Sequence, residues 1–158
     1  MAKSLVLGVD PGLSGAVAIL RGDTVELLED LPVVQFSTAR IKHRIDGAML
    51  ASLIEPFASD IRLAVVEHVG ARPGEAASGA FCFGFTSGCI LGVLGALRVP
   101  YVTPSPIKWK NAMGLGKDKT LSRSRAVAMF PDAAPKLARV KDHDRAEALL
   151  LAAYGAKL

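Results

Sequence analysis

The sequence predicts an α/β domain whose sheet has mixed strand directions and whose helices pack around it. Three observations carry that expectation. The first thirty residues hold three short apolar runs broken by tight turns. Farther on, the β-branched run Ile61 to Val69 stands between two segments of helical periodicity. The closing stretch, from about Asp142 to Lys157, is a mostly apolar helix pattern. A chain of 158 residues suits a single domain, and 1–158 is read as one. With 51% hydrophobic and 22% charged residues it is neither disordered, collagenous nor of low complexity.

The elements follow in order. Leu5 to Val9 ends at Asp10-Pro11-Gly12, a turn tripeptide. Gly15 to Leu20 is the second strand, Arg21-Gly22-Asp23 the next turn, and Thr24 to Leu31 the third strand. Short turns make these an antiparallel meander. Residues 47–58 carry apolar positions at helical spacing, and Pro56 ends or kinks that helix. Ile61 to Val69 reads as a buried strand. A loop over 70–77 leads to a long helix over 78–97 and a short strand from Val99 to Thr103. Helices are expected at 105–113 and 118–130, separated by the loop GLGKDK, before the terminal helix.

Charge is unevenly distributed. Residues 1–100 hold 8 basic and 10 acidic side chains, whereas residues 101–158 hold 11 and 5. A basic last third invites a polyanion such as nucleic acid. Cys82 and Cys89 lie seven residues apart, about 10 Å on a helix, too far for a disulfide. Buried free thiols in a reducing cytoplasm are expected. No secretory signal is expected, because MAKSLVLGVDPG breaks its apolar run after five residues. Segment 79–97 has no charge over 19 residues and approaches the length of a membrane span. It lacks flanking aromatic or basic belts, so a buried helix or an oligomer interface is expected, with no membrane partner.

Acidic residues in apolar surroundings are the informative anomaly. Asp10 ends the first strand and Glu67 lies near the end of the fourth. Strands of α/β sheets end at ligand crevices. Asp144 and Glu147 share a face at i,i+3 on the last helix, whose remainder is apolar. Four carboxylates suit Mg²⁺ or Mn²⁺ rather than zinc. Two such ions about 3.5–4 Å apart activate water against a phosphodiester. Each acid also has a structural role open to it: a turn residue at Asp10, an Arg partner for Glu67, a helix cap at Asp142 or Asp144.

Together, GVDPGLSGAVAIL, the strand AVVEHV before a small-residue-rich helix, TPSPIKWKNAMGLGKDKT and DRAEALLLAAYG resemble the RuvC family of Holliday-junction resolvases. That family belongs to the RNase H-like superfamily. The resemblance spans the chain in order. It implies an RNase H-like mixed five-stranded sheet flanked by helices. It also implies catalytic, metal-ligating roles for Asp10, Glu67, Asp144 and Glu147 with two Mg²⁺ ions per site, for which Mn²⁺ substitutes. The family usually has Asp where Glu147 stands, and some members use His at the third position, so His143 and Asp142 remain alternatives to Asp144. A homodimer is implied, with helix 78–97 as interface, where Gly84, Gly88 and Gly92 recur every four residues. Lys108, Lys110, Lys117, Lys119, Arg123 and Arg125 become candidate phosphate contacts. Trp109 between two lysines can stack on a base, though a half-buried packing role is expected. In the family an aromatic shortly after this glutamate can wedge the crossover; here residues 68–72 hold no Phe or Tyr, and His68 and Arg72 are the substitutes.

The expected function is therefore a metal-dependent endonuclease resolving four-way junctions by paired nicks. Its rivals are a broader branched-DNA endonuclease and a non-catalytic DNA-binding module. An intracellular, cytoplasmic setting in a bacterium, with phage origin open, completes the expectation.

Overall fold

A computed structural model describes residues 4–37, 42–71, 73–116 and 119–158. Strands β1 (Leu5–Asp10), β2 (Ala16–Arg21) and β3 (Thr24–Asp30) form the expected antiparallel meander. Gly15 makes the first turn, because a Cβ there would lie 2.1 Å from Asp10 O and 2.7 Å from Gly12 O. Strands β6 (Ile61–Val66) and β7 (Tyr101–Val102) add in parallel beside β1, giving the order β3-β2-β1-β6-β7. The mixed five-stranded sheet is thus present.

A hairpin of β4 (Val33–Ser37) and β5 (Lys42–Ile45), absent from the sequence-based expectation, precedes α1 (Gly47–Ile54). Val33 and Val34 are adjacent and both exposed, so this part of β4 lacks the buried alternation by which strands are recognised. Asp46 caps α1 by accepting the Met49 N–H at 3.0 Å. Pro56 ends that helix as expected and sits in a 3-10 turn, Glu55–Phe57.

Two cores flank the sheet. On one face Leu5, Leu7, Val9, Val17 and Ile19 meet α1 and the C-terminal half of α2 (Ala77–Ala96) through Leu50, Ile54, Ile90 and Leu94. On the other, α5 (His143–Gly155) lies on Ala16, Ala18 and Val65. Small residues there let the helix come close: a Cβ on Gly8 would lie 2.1 Å from the Ala148 carbonyl. Every residue of α5 from Ala146 to Gly155 is buried, since α3 (Pro106–Ala112), α4 (Lys119–Met129) and a 3-10 helix (Pro131–Leu137) cover its outer side. Burying each of Leu149, Leu150 and Leu151 contributes about 1.5–3 kcal/mol.

Helix α2 departs from the buried helix expected of its hydropathy. Only Thr86, Ile90 and Leu94 are buried, while Phe81, Phe83 and Phe85 are exposed. Among the described residues, nothing beyond the helix's own nearby backbone and the adjacent residues stands within 4 Å of a Cβ built on Gly84, Gly88 or Gly92. These glycines therefore do not serve packing on the chain's own sheet. The helix is long and apolar enough to cross a membrane by length and composition. Cys82 is exposed rather than buried, Cys89 is half-buried, and both are free thiols.

Candidate active site

Parallel pairing of β1 and β6 places Val9 opposite Val66. The next residues, Asp10 and Glu67, therefore leave the same sheet end side by side, and the Glu67 N–H donates to Val9 O at 3.2 Å. Helix α5 runs over β1 and brings Asp144 and Glu147 to that end. Burial, then the negative charges of Asp144, Glu147 and Glu67, push the Asp10 carboxyl up to about 8. The Gly12 N–H opposes that rise. All four expected acids thus share one electrostatic site, formed by two strand ends and a helix N-terminus.

Three of the acids are held by neighbours. Glu67 Oε2 accepts the Trp109 indole N–H at 2.7 Å. Glu147 Oε1 accepts from Lys110 Nζ at 2.9 Å and from the Ser122 hydroxyl at 3.1 Å. Asp144 Oδ1 lies 2.6 Å from His143 Nε2. Among the described residues, no three acidic, His or Cys side chains are gathered tightly enough to cage an ion as they stand. The donor chemistry nevertheless fits a hard divalent cation: all-oxygen ligands, among them a carboxyl that burial and its acidic neighbours push up to about 8.

Of the two alternatives to Asp144, Asp142 is turned away onto Arg139, whereas His143 lies against Asp144 itself. Asp142 is buried and paired with Arg139, whose Nη2 lies 2.7 Å from Oδ1 and whose backbone N–H donates to Oδ2 at 2.8 Å. Hydrogen bonding to the Arg139 side chain holds the Asp142 carboxyl below its ordinary range. His143 also approaches Val140 O through Nδ1 at 3.4 Å. Next to Asp144, Arg145 grips Asp30 on β3 at 2.6 and 2.8 Å, fixing this end of α5 to the sheet.

The candidate phosphate contacts separate into groups. Lys108 on α3 and Arg125 on α4 are exposed. Lys110 is turned onto Glu147. Arg123 donates to Leu137 O at 3.1 Å and Ala138 O at 3.3 Å, tying α4 to the following 3-10 helix. Lys117 lies outside the described residues, as does the side chain of Lys119. Of the wedge substitutes, His68 is exposed and Arg72 lies outside the described residues.

Trp109, Lys110 and Ser122 acquire roles that spacing did not reveal. One signal was present for Ser122: it falls in line with the buried Ala126 and Phe130 at i+4 and i+8, a hydroxyl in an apolar stripe. Trp109 is fully buried rather than half-buried. Its position is set by the cap of α3, where Ser105 accepts the Lys108 N–H and Pro106 opens the helix.

No family model matches the chain. Over an alignment of 115 residues that covers 68% of this chain, the sequence is 35% identical to the chloroplastic Holliday junction resolvase MOC1 of Chlamydomonas reinhardtii, and the match spans 13% of that protein's length. Thermus thermophilus RuvC superposes over 97% of this chain and 95% of its own, with a TM-score of 0.53 and 16% identity. The same protein in complex with a Holliday junction substrate gives a TM-score of 0.63 at 19% identity, over 98% and 95% of the two chains. The fold is therefore the RNase H-like fold of RuvC.

Proposed function

We propose that this chain is a divalent-metal-dependent DNA endonuclease that resolves four-way junctions as a homodimer. One arrangement carries the proposal: Asp10 at the end of β1, Glu67 just past β6, and Asp144 and Glu147 on α5 meet at one end of the sheet, where burial first and then the three neighbouring carboxylates push Asp10 up to about 8. Similarity to a chloroplastic junction resolvase, and to RuvC with a junction bound, supports the substrate.

Asp10, Glu67, Asp144 and Glu147 would hold Mg²⁺, two ions per site, with Mn²⁺ as a substitute. The metal supplies Lewis acidity and activation of water for attack on a phosphodiester. The chain's own residues do the rest. Asp10 gives up its proton to join the ligand set. Trp109 and Ser122 orient Glu67 and Glu147. Exposed Lys108 and Arg125 offer phosphate contacts that position the backbone without reading sequence. A 5′-phosphate and a 3′-hydroxyl are the expected ends. Cutting two strands calls for two sites, and the uncovered glycine face of α2 supports pairing of two copies there.

The test is cleavage of a labelled synthetic four-way junction with Mg²⁺, with products mapped on each strand. Paired nicks by wild type and none by Asp10→Asn are expected. An intact junction with both proteins overturns the proposal. Preference for flaps or three-way junctions over the four-way substrate would replace it with a broader branched-DNA nuclease.

A further inference from the structure

We infer that Trp109 is a positioning residue: its indole N–H fixes the Glu67 carboxylate in the orientation from which the acid cluster binds a divalent cation. The inference rests on the metal-dependent reading above.

The geometry is specific. Trp109 is 0% exposed, in the same core as Met113, Leu115 and Ala126. Packing on all sides immobilises the ring, so its single N–H has a fixed direction. That N–H ends 2.7 Å from Oε2 of a residue 42 positions away. A ring needed only for packing would be served by Phe, without the cost of a buried donor. Glu67 gains more from the contact. Its flexible side chain leaves the sheet just past the end of β6, where the indole holds its Oε2. Ordering such a chain costs up to about 2 kcal/mol when nothing has fixed it beforehand. The following residue, Lys110, holds Glu147. One short helix therefore fixes one carboxylate from the sheet and one from α5. Partners that orient metal ligands in this way typically change metal affinity by about 10–100-fold.

The sequence holds one Trp, so a ¹H–¹⁵N spectrum shows one indole signal. Glu67→Gln is expected to move that signal upfield, because a charged acceptor is replaced by a neutral one. Mg²⁺ is expected to shift it in wild type and not in Asp10→Asn. Trp109→Phe keeps most of the ring volume, and calorimetry should find its Mn²⁺ affinity at least about ten-fold weaker. An indole signal indifferent to both Glu67→Gln and Mg²⁺ overturns the inference. So does wild-type Mn²⁺ affinity in a folded Trp109→Phe. Should that variant not fold, the wild-type and Glu67→Gln spectra decide alone. Junction cleavage is assayed in parallel. A wild type whose indole reports Glu67 and Mg²⁺, yet which cuts no branched DNA, sustains the positioning role and removes the nuclease reading.

Discussion

Lys110 Nζ lies 2.9 Å from Glu147 Oε1 and brings a positive charge to the edge of a four-carboxylate cluster. The pair is well shielded, with side chains 24% and 9% exposed. Lys110→Met leaves Glu147 buried without its cation, at a cost of about 1–3 kcal/mol. Calorimetric unfolding of the metal-free variant should show a lower Tm. Mg²⁺ should raise that Tm by more than it raises wild type, since an ion then supplies the missing charge. Equal Mg²⁺ shifts in both proteins would mean that the lysine and the ion do not share a site.

Asp10→Asn should stabilise the metal-free protein, and the gain should depend on pH. The Asp10 value rises from 3.8 to about 8 on folding, so the folded chain binds a proton the unfolded chain releases. Stability therefore falls as pH rises from about 4 towards about 8. Asparagine removes that loss. The Tm difference between variant and wild type should be near zero at pH 4 and largest near pH 8. A difference that does not grow with pH contradicts the electrostatic origin of the shift. Because metal binding needs the Asp10 proton released, Mn²⁺ affinity should also rise across the same interval.

Asp142 and Asp144 should separate cleanly. Asp142→Asn breaks the pairing with Arg139, and Tm should fall by a few degrees with Mn²⁺ binding retained. The Asp142 value is lowered in the folded state, so its contribution is present above the ordinary carboxyl range and disappears as pH falls through the lowered value. Asp144→Asn should do the reverse, keeping Tm and losing Mn²⁺ binding. Calorimetry on both variants checks the pair, and Mn²⁺ binding lost in Asp142→Asn would reassign the ligand.

Gly88→Leu on α2 meets open space within its own chain. The fold should tolerate it or gain up to about 1 kcal/mol from helix propensity. On the proposed pairing through α2, light scattering should report dimers for wild type and monomers for the variant. Unchanged mass would place any dimer contact elsewhere.

Gly8→Ala drives a methyl group into backbone atoms of α5, 2.1 Å from Ala148 O and 2.4 Å from Ala152 N. Neither can rotate away, so the cost should reach about 3 kcal/mol. Gly155→Ala meets the side chains of Val65 and Val6 instead, which can shift, and should cost less. Urea unfolding of both variants checks the order.

Much of this was legible in the chain itself. Three apolar runs between turns specify the meander, and acids closing apolar strands mark the sheet end where the candidate site lies. Other parts were not, for physical reasons. The start of β4 leaves Val33 and Val34 both in solvent and so shows no alternation of burial. Hydropathy along α2 records a wish for burial without saying whether the chain's own core satisfies it, and Phe81, Phe83 and Phe85 show that it does not. The hydrogen bond from Trp109 to Glu67 joins positions 42 apart and depends on the angle at which α3 enters the core, which no local pattern encodes.

The seating of α5 on Gly8 has a bearing on biogenesis. During synthesis β1 and β6 emerge before α5, so Asp10 and Glu67 are made before the other two acids. The other two acids join only when His143–Gly155 has docked along the groove left by the missing Cβ. Completion of the fold and completion of the acid cluster are then a single event, and a partly made or partly unfolded chain cannot carry the full four-carboxylate set.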